Sequence, residues 1–119
     1  MKKLKYIKLF EYFEELKINS FDISIDEDGY DSFQLPTKIN GIVNGDEFDF
    51  ESNRMFNIPT RFGDINDLLQ EIIYAGELNI NEVEVDDDDI RDLIISKLAI
   101  DYVDELNKII EETSNLTTR

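Results

Sequence analysis

The chain has no cysteine, no histidine and no tryptophan, and only five glycines and two prolines in 119 residues. Without cysteine there is no disulfide and no thiolate chemistry, which fits a reducing cytoplasm. Without histidine, the side chain that most often moves protons near neutral pH is missing, and so is the usual Cys/His zinc set. Basic residues are scarce as well: 12 Lys and Arg stand against 28 Asp and Glu, a net charge of −16. No apolar run approaches the ~20 residues of a membrane span. Met1-Lys2-Lys3-Leu4-Lys5 has the form of a signal-peptide n-region, but Lys8, Glu11, Glu14 and Glu15 interrupt any hydrophobic stretch behind it. A soluble, unprocessed, cytoplasmic chain is expected, with no membrane partner.

Acidic chains are often disordered, but this one has 41% hydrophobic residues, with eight Phe and five Tyr. That is enough for a core, and the length suits one domain. We expect that domain over residues 1–113, with 114–119 as a frayed tail. Seventeen Ile and ten Asn against two Ala suggest an AT-rich genome, as in a low-GC bacterium or its phage. The same bias speaks against a halophile as the source of the acidity. The charge is uneven: residues 1–17 hold five Lys and three Glu, and the remainder holds 25 acids against seven bases. Such self-repulsion opposes compaction, so an ordered domain that keeps it is expected to use it.

Periodicity predicts an α+β fold in the order α-β-β-β-β-α-β-α, with an antiparallel sheet of four to five short strands. Tyr6, Leu9, Phe10, Phe13 and Leu16 have helical spacing over 3–17. Phe21, Ile23 and Ile25 alternate with Asp22, Ser24 and Asp26 as a half-buried strand. Phe33 and Leu35 extend a second strand until Pro36. Ile42-Val43, Asn44-Gly45, Phe48 and Phe50 form the strongest hairpin pattern. Residues 52–62 are expected to be an irregular crossover anchored by Met55, Phe56, Ile58 and Phe62. Asp64 is the expected N-cap of a helix carrying Ile65, Leu68, Leu69, Ile72 and Ile73, with Gly76 as its C′ residue. Leu78 and Ile80, then Val83 and Val85, read as a strand with a bulge at Asn81-Glu82. A final helix over 88–112 should turn Ile90, Leu93, Ile94, Leu98, Tyr102, Leu106 and Ile109 inward.

The acids alternate with these core positions. Asp22 and Asp26, then Glu47, Asp49 and Glu51, then Glu82, Glu84 and Asp86 are each expected on the outer face of a strand, about 6.6 Å apart at ~3.3 Å rise per residue. Only Lys38 and Arg54 lie near them in sequence. Regular, poorly neutralised anions resemble a nucleic-acid backbone. A protein whose affinity for nucleic acid comes from Lys and Arg offers a groove that such a face fits. The expected function is therefore a non-catalytic inhibitor acting by DNA or RNA mimicry, such as a phage anti-CRISPR or anti-restriction protein. The alternative is an immunity protein or antitoxin that neutralises a basic nuclease toxin. A third reading is an adaptor whose acidity only keeps it soluble.

The expected partner is thus a CRISPR effector, a restriction enzyme or a nuclease toxin, reached in the host bacterial cytoplasm if the chain is phage-encoded. No direct nucleic-acid binding is expected, and homodimerisation remains open. Asp86, Asp87, Asp88 and Asp89 precede the last helix, where one or two acids would cap free N–H groups, and four exceed that need. Tyr30, between Asp28 and Asp31, is a candidate interface anchor. Aligned on a calcium loop, Asp26-Glu27-Asp28-Gly29 fails at the bidentate position, which is Leu35, so an acidic turn is the better reading. No phosphate loop, nucleophile elbow or metal-spaced set is present. Hence no catalytic residue, cofactor or metal is expected.

Overall fold

In the computed structural model, which describes residues 16–27, 29, 31–58 and 60–116, Asn44 and Gly45 both take positive φ, 51° and 83°. That is the twist a two-residue hairpin loop requires, and Asn-Gly supplies it with little strain. It joins β3 (Ser32–Val43) to β4 (Asp46–Asn57), paired without interruption from Val43–Asp46 to Ser32–Asn57. β1 (Lys17–Ile23) and the short β2 (Asp26–Glu27) both lie against β3. On the far side, β5 (Glu77–Ile80) pairs with β4, and β6 (Val83–Glu84) pairs with β5. The result is a six-stranded antiparallel sheet in the order β1-β3-β4-β5-β6, with β2 beside β3.

The described residues add three helices: α1 (Ile65–Ile73) between β4 and β5, then α2 (Asp88–Asp101) and α3 (Val103–Leu116) after β6. One face of the sheet, with Phe33, Leu35, Ile39, Phe48, Phe50 and Leu78, is buried together with Leu69, Ile72, Ile94 and Leu106 of the helices. Each such side chain contributes about 1.5–3 kcal/mol when fully buried. Phe33 and Phe56, opposite one another in the register, stack at 5.5 Å, and Phe62 meets Phe56 edge-on at 5.3 Å. Among the described residues no element packs on the other sheet face, called the open face below. No helix of the described residues is long and apolar enough to cross a membrane.

The α+β class and the antiparallel sheet agree with expectation, but the element order does not. Among the described residues four strands come before the first helix, and the order is β-β-β-β-α-β-β-α-α. The expected helix over 3–17 lies outside the described residues up to position 15, and Lys17 opens β1 opposite Ile42. Pro36 does not end a strand. Its carbonyl accepts from Ser24 N–H at 3.2 Å, so its missing N–H faces the gap between β1 and β2, where no ladder bond is lost. Residues 52–57 are strand rather than crossover, because β3 pairs with them along their whole length, and Met55 is 52% exposed.

Asn81-Glu82 is not a bulge within one strand. Both residues take positive φ (51° and 67°) and turn β5 into β6. Gly76 has no positive φ. A Cβ there would lie 2.3 Å from Phe50 Cζ and 2.7 Å from the Glu51 carbonyl, so it is glycine for close approach to β4. The single expected helix over 88–112 is two, separated at Tyr102 (φ −126°, ψ 35°), whose ring packs edge-on against Phe21 of β1 at 5.0 Å.

Candidate acidic interface

Strand alternation sorts the carboxylates. Because Phe48 and Phe50 point into the core, Glu47, Asp49 and Glu51 share the open face of β4, and all three are exposed. The register extends this row sideways. Asp22 on β1 lies opposite Lys38, which lies opposite Glu51, which lies opposite Glu77 on β5. One step along, Ser20, Asn40, Asp49, Asn79 and Glu84 form a parallel line across five strands. Neighbouring strands are about 4.8 Å apart and same-face residues ~6.6 Å apart along a strand. The open face is therefore a grid of carboxylates spaced by neutral amides and a hydroxyl. Asp26 on β2, opposite Gln34, adds another anion at its margin.

Among the described residues, two lysines relieve the grid. Lys38 Nζ is 3.5 Å from Glu51 Oε1, with both side chains about 70% exposed, so this pair stabilises by no more than ~1 kcal/mol. Lys17 stands on the same face opposite Ile42. Glu51 and Glu77, directly opposed, repel one another at a cost of tenths of a kcal/mol. Arg54, the other nearby base, has inward parity. It is bonded to Glu71 of α1, and its guanidinium carbon lies 5.0 Å above the Phe56 ring. It does not neutralise the open face.

The β4 row is thus where the alternation puts it, while the third expected row dissolves. Glu82 occupies the β5–β6 turn and Asp86 lies beyond β6, which leaves only Glu84 on the sheet. Asp31 lies before β3, its carbonyl accepting from Ile58 N–H at 2.8 Å. Asp28 and Tyr30 lie outside the described residues. Glu77 is a member of the grid that the sequence reading passed over. Its position one residue before Leu78 carried the signal, since Leu78 is core and its neighbour must face outward.

Asp86–Asp89 form a separate cluster at the start of α2. Asp87 is the N-cap, accepting from the N–H groups of Asp89 (3.0 Å) and Ile90 (3.3 Å), and Asp88 and Asp89 occupy the first turn. Capping and the helix dipole account for these positions. In the next turn Arg91 is buried, and it donates to the carbonyls of Ile73 and Gly76. That places a guanidinium at the C-terminus of α1, which has no basic residue in its own last turn. Tyr74 donates its phenol proton to Asp92. That hydrogen bond above all, with burial and the Asp92 and Asp88 charges, pushes its pKa up to about 12.

Among the described residues no three acidic side chains converge as a metal site would need. Comparison with protein-family models, with curated proteins and with solved structures finds no match for this chain.

Proposed function

We propose that this protein is a non-catalytic inhibitor that occupies the basic nucleic-acid-binding surface of another protein. A CRISPR effector or restriction enzyme is the kind of target meant, met in the cytoplasm of a bacterial host. The observation that carries the reading is the open sheet face, where Glu47, Asp49 and Glu51 run in one exposed row and Asp22, Glu77 and Glu84 flank them on neighbouring strands. A hairpin paired over its whole length holds these anions on a fixed lattice. A groove built to neutralise phosphates gains its affinity from cations, and this lattice offers those cations an alternative anion. Steering by the −16 net charge would speed encounter with such a groove.

The test is recovery of the partner from host lysate, followed by competition. Duplex DNA should displace the protein from the partner, and a Glu47→Lys/Asp49→Lys variant should lose binding by about a hundredfold or more, as two charge contacts of ~1.5–3 kcal/mol each imply. Asp49 lies opposite Asn40 and Asn79, and Glu47 opposite Ile42. The variant therefore removes no ion pair among the described residues, and its stability should lie within ~0.5 kcal/mol of the parent's. A partner that binds DNA and this protein simultaneously would refute mimicry.

A further inference from the structure

Among the described residues, half of β4 has no strand on its outer flank. β5 pairs only with Phe48–Glu51, whereas β4 runs on to Asn57. Asn81 N–H donates to the Glu47 carbonyl, so the odd-numbered residues of β4 turn their N–H and C=O groups toward the β5 side. Alternation carries this direction to Asn53 and Met55. Among the described residues, neither has a backbone hydrogen bond on that side, and both are exposed.

The outermost edges of the sheet are blunted in the usual ways. β1 has an irregularity at Asn19 and a lysine at its start, and β6 is two residues long. The β4 edge is neither short nor irregular, and its one charged side chain, the inward-facing Arg54, is bonded to Glu71. Residues 52–58 also contain no acid in a chain that is nearly one-quarter Asp and Glu.

A recess flanks this edge on each side of the sheet. On the open face it is bordered by Lys38, Glu51, Asn53 and Glu77, and on the helix side by Arg54, Gln70, Glu71 and Tyr74. A strand laid beside Asn53–Asn57, in line with β5, would send successive side chains alternately to the two faces, and so alternately into the two recesses. The outer recess holds two carboxylates, Glu51 and Glu77, and one lysine. It favours cationic side chains.

We propose that the edge Asn53–Asn57 accepts an extended basic segment of a partner protein as an added antiparallel strand. Lysine or arginine side chains meet Glu51 and Glu77, and uncharged ones face Tyr74. Main-chain bonds to Asn53 and Met55 supply the pairing, and the alternating recesses supply the selectivity. A second copy of this chain is a poor occupant, since it brings another sixteen negative charges. The inference rests on the basic-partner reading above and adds to it where that partner's chain is gripped.

The probe is a short, end-capped peptide of alternating lysine and valine, followed by amide NMR. Binding should shift the Asn53 and Met55 signals and slow their hydrogen exchange. The same peptide N-methylated at alternate residues keeps its charge but cannot pair, and should bind about tenfold or more weakly, as the loss of two main-chain hydrogen bonds implies. Met55→Pro should weaken the parent peptide similarly. Equal binding by the N-methylated peptide, or shifts confined to Glu47 and Asp49, would overturn strand addition and leave the acidic-face reading standing. If neither peptide binds at the edge or on the open face, both readings fall.

Discussion

Gly76 and Tyr74 show how much of this fold is decided by single side chains at the junction of α1 and β5. The Gly76 backbone lies against the Phe50 ring and the Glu51 carbonyl, so Gly76→Ala should destabilise by about 1–3 kcal/mol through overpacking. A urea titration should show a lower midpoint with an unchanged slope. Tyr74 makes a pH-dependent contribution. Its folded pKa, about 12, lies above the unfolded value of 10.0, so the folded state favours the protonated phenol. Any stabilisation from it is complete below pH 10 and is lost as pH rises from 10 to 12. Phenolate absorbance should contain a late-titrating component from Tyr74 in the parent, and Asp92→Asn should move that component to lower pH. Neither role was legible in the sequence. Gly76 there carried only its frequency as a helix terminator, and the Tyr74–Asp92 bond joins residues eighteen apart.

At the level of elements, local chemistry was readable wherever it was sufficient. Asn44-Gly45 predicted its hairpin and Asp64 its helix start, where the Asp64 carboxylate accepts from Asp67 N–H at 2.8 Å. Of the inward stripe expected for the last helical region, Ile90, Leu93, Ile94, Leu98, Leu106 and Ile109 are buried, while Tyr102 is half-buried at the break between α2 and α3. Errors arose where tertiary pairing overrode a local rule. Pro36 stays in β3 because of the side its nitrogen faces, and Ser52–Asn57 become strand because β3 continues beside them. The β5–β6 turn makes an element-scale prediction. Glu82 holds a φ of 67° at a position where glycine is favoured, so Glu82→Gly should raise stability by about 0.5–1 kcal/mol, measured by thermal melting. An unchanged or lower melting temperature would mean that this turn stores no strain.

Across the whole molecule, excess charge rather than ion pairing dominates. The exposed Lys38–Glu51 contact adds little, while 28 acids face 12 bases. Added salt should therefore raise the melting temperature by screening self-repulsion, and should weaken association with a cationic partner. A protein held together by surface ion pairs would show the first trend reversed. The candidate site was partly legible at this scale: alternation identified the β4 row correctly, but cross-strand register, which assembled Asp22, Glu77 and Glu84 around it, is not written in any one segment. The chain's −16 over a long axis of 51 Å is about one excess anion per 3 Å. That approaches one strand of a duplex, at one per ~3.4 Å, more closely than both strands together, at one per ~1.7 Å.

The β3–β4 hairpin has a kinetic consequence as well. Its loop is two residues long, so its many pairs join positions close in the chain and little entropy is lost in closing it. During refolding this ribbon can zip from its tip before β1 and β5 arrive, which would make the Glu47–Glu51 row one of the earliest surfaces the chain acquires.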